Sequence, residues 1–253
     1  KIKKTIYYDN AVIKLYNIPI FYFPKLSHPD PTVKRRSGFL IPSYSDTKNL
    51  GSSINLPYFW AISNDRDLTL NSKLFASEHP LFLGEYKQAF KNSNLTVDFG
   101  LTEGYKKTSD TKNTGDKSHL FANFVKNFNT SESINKNIEL NLQHVSNKKY
   151  LKLYKIDSNL VDYETEVLEN FIDYSVINDD KNHFISLGAS SYRTLADNYN
   201  DKYEYILPEI NYEKPLFSDK FGYGNIKSDL KVHNYDTNKY KKTFINNLDL
   251  ELD

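Results

Sequence analysis

The chain has no cysteine and no methionine, so no disulfide framework can staple it and redox chemistry says nothing about its compartment. No stretch of about eighteen consecutive apolar residues occurs, which excludes a transmembrane helix. A mean hydropathy of -0.64 would ordinarily indicate solubility. A β-barrel escapes that inference, because only alternate residues of its strands face lipid. An excess of either charge is also missing: the formal net charge is +1, and no strong field draws the chain to nucleic acid. The absence of an initiating methionine and of a signal peptide predicts an internal or processed piece of a longer protein.

Signals for chemistry are as scarce. The histidines, His28, His79, His119, His144, His183 and His233, are never paired at ligand spacing, and without cysteine no zinc site is expected. Each is expected at a loop or surface position. Asp65 and Asp67 look like a carboxylate pair, but Asp65-Arg-Asp-Leu-Thr69 leads into a strand, and a turn closed by aspartates accounts for it. Gly222-Tyr-Gly224 is too short for a dinucleotide loop, and neither a Gly-x-Ser-x-Gly elbow nor a phosphate-binding glycine loop occurs. These absences leave catalysis unsupported, and no cofactor and no metal are expected.

What the chain does have is aromatic residues, 15% of the total and mostly Tyr and Phe, with only nine glycines. Together with abundant Asn, Thr and Ser, they favour strands joined by polar turns. At 253 residues the chain suffices for one large β domain or two ordinary ones. The organising stretch runs from Arg35 to Trp60. Ile54, Leu56, Tyr58, Trp60 and Ile62 fall on one face at a period of two, with Phe59 the exception, which predicts a strand apolar on one side. Phe39 to Tyr44 reads as its partner across the turn Asp46-Thr-Lys-Asn-Leu-Gly51. Each strand holds a proline, Pro42 and Pro57. Proline has no N–H for a ladder, so the pair marks an edge, a bulge or a weakly paired seam.

Before this stretch, Ile6 to Tyr16 and Ile20 to Phe23 read as strands, the second closed by Pro24. Ser27-His-Pro-Asp-Pro-Thr32 is expected to be neither helix nor ladder, because each residue before a proline is pushed to extended geometry. It is the best boundary in the sequence, dividing 1–34 from 35–253. After it the alternation recurs at spacings of roughly ten to fifteen residues, clearest in Leu95 to Thr102 and Ile138 to Gln143. Lys106 to Lys117 and Asn127 to Ser133 read as polar connectors, the first a long loop on the extracellular side if the strands cross a membrane. Val167 to Val176, Phe184 to Tyr192, Tyr203 to Tyr212, Ile226 to Tyr235 and Phe244 to Leu252 are further strands. The count for 35–253 is about eleven.

Several uncommon words occur in order and at characteristic gaps: Pro19-Ile-Phe-Tyr-Phe-Pro24, His28-Pro-Asp-Pro31, Lys34-Arg-Arg-Ser-Gly-Phe-Leu-Ile-Pro42 and Leu56-Pro-Tyr-Phe-Trp60. Fainter ones follow at Asp65 to Thr69, Gly84 to Tyr86, Tyr150 to Tyr154 and Tyr203 to Tyr212. In these words the chain resembles the LptD family, the lipopolysaccharide-assembly outer-membrane proteins once named for organic-solvent tolerance. The resemblance implies an all-β fragment. Residues 1–34 would be the end of a periplasmic β-jellyroll with its hinge, and 35–253 the first half of a large antiparallel outer-membrane β-barrel. It implies a translocon of a Gram-negative outer membrane, which takes lipopolysaccharide from a periplasmic bridge and releases it into the outer leaflet through a lateral gate. Its partners would be a plug lipoprotein of the LptE type inside the barrel and a bridge protein of the LptA type at the jellyroll.

Under the resemblance Pro42 and Pro57 match prolines beside the seam that would open. Lys34, Arg35 and Arg36 read either as an ordinary charged linker or as contacts to lipid phosphates, which planar guanidinium groups grip with two bonds. Tyr58 and Trp60 read either as sheet packing or as part of an aromatic girdle at the membrane interface. A porin- or receptor-like barrel and a soluble carbohydrate-binding β-sandwich are the alternatives.

Overall fold

The structure is a computed structural model that describes residues 5–15, 17–29, 35–109, 112–131, 133–196, 203–218, 222–235 and 242–252. Among the described residues, fifteen strands and one short helix follow one another: β1 (Thr5–Leu15), β2 (Ile18–Pro29), β3 (Gly38–Phe39), β4 (Ser43–Thr47), β5 (Gly51–Ala61), β6 (Arg66–Phe75), β7 (Leu81–Ala89), β8 (Ser93–Ser109), β9 (Lys112–Ser131), β10 (Ile134–Val145), α1 (Tyr150–Tyr154), β11 (Val167–Asn178), β12 (His183–Thr194), β13 (Tyr203–Ser218), β14 (Gly222–Tyr235) and β15 (Lys242–Leu252). β1 and β2 form a sheet of their own. The rest form a sheet of thirteen strands in which sequence neighbours are spatial neighbours, from β15 at one end to β5 with β3 and β4 at the other. The all-β expectation holds, and the pairings of β1 with β2, of β5 with β3, β4 and β6, and of β9 through β15 in succession are all antiparallel. Such a meander is what short polar turns between alternating strands produce. By its contacts the chain divides into two compact units, Lys1–Lys87 with Gly100–Asp116, and Gln88–Phe99 with Lys117–Asp253.

In the first unit, β1 and β2 turn at Asn17, whose φ of 64° suits the left-handed tolerance of asparagine. Here the sequence expectation needs correction twice. β2 does not close at Pro24, and Ser27, His28 and Pro29 do join the ladder, opposite Tyr7, Ile6 and Thr5. A two-stranded ribbon leaves one edge of each strand unpaired, so a proline whose missing N–H faces that edge costs no ladder bond. Lys34 lies outside the described residues.

The strand read as Phe39 to Tyr44 is broken. β3 pairs Gly38 with Phe59 and Phe39 with Tyr58, and β4 pairs Ser43 with Asn55 through Thr47 with Gly51. Residues 40–42 therefore face only 56 and 57, which is a β-bulge with one extra residue. Splitting this strand is one reason the count exceeds the sequence expectation.

Two polar connectors are also strand. β8 runs on to Ser109 and β9 starts at Lys112, so most of 106–117 is ladder rather than loop, and Thr108 meets Thr114 hydroxyl to hydroxyl at 3.1 Å. β9 likewise continues through Asn127 to Ser131. Thr and Ser pair well across strands, so polarity marked the surroundings of these segments and not their conformation.

The second unit carries the regular sheet. One register row runs Asn127, Asn137, Ser175, Ser186, Asn211, Asp229 and Asn247, all polar, from β9 to β15. The adjacent row runs Ile138, Tyr174, Leu187, Ile210 and Leu230, all apolar, from β10 to β14. Side chains of successive residues point to opposite faces, so one face is polar and the other apolar.

Candidate functional site

In a soluble protein the apolar face of a sheet is the covered one. Here the alternation is reversed. Along β10, Leu140 and Leu142 are exposed while Asn141 and Gln143 between them are half-buried, and along β12 Leu187 is exposed while Ser186 is buried. Leu207, Ile172 and Leu101 are exposed to a similar degree, at 61%, 50% and 54%. The polar face is internally bonded: Asn123 donates to Glu139 at 3.1 Å, Asn211 to Ser186 at 3.0 Å and Asn225 to Glu213 at 2.8 Å. An apolar face of this extent calls for an apolar solvent or partner.

At the β3–β4 edge the two prolines meet one break. The N–H of Leu40 donates to the carbonyl of Pro57 at 2.9 Å. A strand residue directs its N–H and C=O to the same side, so the donor Pro57 lacks would also face β3 and β4. Pro42 sits in the bulge opposite. The ladder from β5 to β6 continues undisturbed, with Pro57 opposite Asn71. The edge thus lacks the Pro57 donor where the bulge already disrupts pairing, while Phe39, Leu40, Ile41 and Tyr44 stand exposed, Ile41 at 90%.

Tyr58 packs edge-on against Phe39, ring centroids 5.1 Å apart, and Trp60, 48% exposed, stands near the end of β5 opposite Leu68. The Arg35 guanidinium donates to the Asp67 carboxylate and to the Asn64 carbonyl. Arg36 is half-buried. In the adjacent turn, the Ser63 hydroxyl, the turn backbone and then the nearby Arg66 and Arg35 hold the Asp65 carboxyl below its usual range.

Sequence reasoning missed one cluster. Of the histidines expected at loops or the surface, His119 is buried, its side chain wholly inaccessible. Its Nε2–H donates to Asp98 Oδ1 at 2.9 Å, Tyr150 lies 3.1 Å from Nδ1, and its ring stacks on Phe121 at 4.6 Å. Burial pushes the Tyr150 phenol well above its usual value. It therefore stays protonated and can donate to Nδ1. Tyr150 opens α1, whose residues Leu151 and Tyr154 are buried with Ile156 and Val161 of the connector 146–166. A mostly strand-forming chain thus keeps its densest core around a short helix. The cluster ties α1, and with it the connector, to β8 through Asp98 and to β9 through His119. The signal in the sequence was the alternation of Lys117, His119 and Phe121, all buried on one face. Among the described residues no group of side chains suits a metal ion.

No family model matches the chain. It is 28% identical to the LPS-assembly protein LptD of Methylococcus capsulatus over 193 residues, 76% of this chain and 17% of that protein. To the protein of the same name from Francisella tularensis subsp. holarctica it is 31% identical over 126 residues, 47% of this chain and 14% of that protein. To that of Nitrosococcus oceani it is 34% identical over 77 residues, 30% of this chain and 10% of that protein. The chain spans less than a fifth of the length of these relatives.

Proposed function

From the premise that the chain is a relative of the LPS-assembly protein LptD, we propose that it forms part of an outer-membrane barrel wall through which lipopolysaccharide reaches the outer leaflet. The observation that carries this is the apolar row from Ile138 to Leu230, of which Tyr174 and Leu187 are exposed and the others half-buried, beside the polar row from Asn127 to Asn247. Hydrocarbon would solvate the first and an aqueous lumen the second. A soluble sandwich would bury Leu140, Leu142 and Leu187 under a second sheet, yet they are 38%, 39% and 53% exposed. On this reading the amides of the polar rows face the plug lipoprotein of the LptE type, β1 and β2 lead towards the bridge protein of the LptA type, and Tyr58 and Trp60 lie at the membrane interface.

The lateral exit is the β3–β4 edge, loosened by Pro42 and Pro57. Each absent ladder bond removes about 0.5–1.5 kcal/mol in water, and an unpaired carbonyl costs more in hydrocarbon. A seam weakened in this way can part, so that acyl chains stay in the membrane while sugars leave through the lumen. A fixed-pore barrel has no use for such a break. Replacing both prolines by alanine in the full-length protein, which restores donors without bulk, is expected to lower lipopolysaccharide at the cell surface several-fold with the protein level unchanged. An unaltered surface level would remove the exit from this edge.

A further inference from the structure

Arg35 precedes the first ladder pair of the edge strand, so its hold on the sheet is made by side-chain atoms. Its guanidinium spans the Asp67 carboxylate and the Asn64 carbonyl, with only 30% of its own side chain and 19% of that of Asp67 exposed. Asp67 stands opposite Ala61 across β5 and β6, and the N–H of Ala61 donates to the Ser37 hydroxyl at 3.0 Å. The residues on both sides of Arg36 are therefore tied to the turn 62–65. That turn is itself braced, by the Ser63 N–H on the Arg66 carbonyl at 3.1 Å and by Arg66 Nε on the Ser63 hydroxyl at 3.0 Å. Beyond this anchor only Gly38 and Phe39 pair with β5 before the bulge interrupts the ladder.

We propose that Arg35 is a positioning residue: with Asp67 and the Asn64 carbonyl it clamps the base of the edge strand to the β5–β6 turn, and so confines movement of the edge to the length beyond Leu40. The inference rests on the lateral exit proposed above. It assigns the guanidinium to a carboxylate of the same chain and not to a lipid phosphate. The planar fork reaches two acceptors at once, which a lysine ammonium on its flexible stem does not do in a fixed geometry. With the clamp intact, the bulge is where the edge can bend. Without it, the two ladder pairs of β3 and the Ser37 and Leu40 hydrogen bonds must hold the base.

The two assignments predict opposite results for Asp67→Asn. Loss of the clamp should mimic loss of Arg35, whereas a phosphate contact would be freed and should act at least as well. The variants R35A, R35K, D67N and the exchange R35D with D67R are made in the full-length protein in its host. In each, surface lipopolysaccharide is measured, and so is the rate of disulfide formation between cysteines placed at the facing pair Gly38 and Phe59. The stretch has no cysteine of its own to interfere. R35A and D67N are expected to slow crosslinking about fivefold, as loss of a half-buried charge-assisted pair implies, and to lower surface lipopolysaccharide. R35K should fall between, and the exchange should restore both readouts. Unchanged crosslinking in R35A and D67N overturns the clamp whatever happens to export. Export that is lost in R35A but kept in D67N overturns it in favour of the phosphate contact. Slower crosslinking with full export overturns the positioning role, and if the proline variants also export fully, the fault lies with the lateral exit.

Discussion

Replacing His119 by alanine is expected to destabilise the second unit by about 3–5 kcal/mol, because it strands the buried Asp98 carboxylate and opens a void against Phe121. Asp98 is only 8% exposed, so water cannot take over from the imidazole. The Tyr150 hydroxyl would lose its partner in the same step. Asp98→Asn should cost less, about 1–2 kcal/mol, since an amide keeps the shape and one acceptor without an unpaired charge. Denaturant titration of the full-length protein in detergent, following the second unit, checks both values. A loss below about 1 kcal/mol for His119→Ala would mean that the three groups do not act as a buried chain.

The second large effect belongs to the connector 146–166. Leu151 is 1% exposed, and Ile156 is also fully buried. Leu151→Ala removes a side chain from the tightest packing in the unit and is expected to cost about 2–4 kcal/mol, most of it locally. Protease cleavage within 157–165 should then accelerate about 100-fold where opening is fast relative to cleavage, the factor that corresponds to roughly 2.7 kcal/mol. The wild-type connector should resist, because Lys148 Nζ also donates to the Ala196 carbonyl at 2.9 Å and Arg193 to the Val145 carbonyl at 2.7 Å. Equal cleavage of the two would show that the connector is an ordinary loop.

The sheet was legible where alternation is clean. Leu95 to Thr102 and Ile138 to Gln143 lie within strands, since one face meets a different environment from the other and composition follows, and the less regular Phe184 to Tyr192 and Phe244 to Leu252 do so too. Segments such as Lys106 to Ser109 were not legible, because a stretch of Thr, Ser and Lys has the composition of a loop although it is strand here. Ser27 to Pro29 failed for a related reason, as a proline rule written for central strands was applied to a ribbon with open edges. The His119 cluster was beyond reach by spacing: its partners lie 21 and 31 positions away in sequence, and only the fold brings them to one place. The proline pair was legible as a mark of an edge or a bulge. That both prolines lie at a single break required the register.

The bulge at 40–42 can also be described as a correction of reading frame. Phe39 lies opposite Tyr58 and Tyr44 opposite Ile54, so an odd interval on one strand is matched to an even interval on the other, and the extra residue absorbs the difference. Both aromatic rings thereby share the face of Ile54 and Tyr58, although an unbroken strand would turn one of them over. Exchanging the residues of 40–42 preserves the break, but deleting one of them does not. A chain lacking Pro42 altogether would match four steps on one strand to four on the other, so Ser43–Thr47 would keep their partners on β5 and both rings their shared face, with no bulge left between β3 and β4. The break at the edge therefore depends on how many residues lie between Phe39 and Ser43, independently of which residues they are.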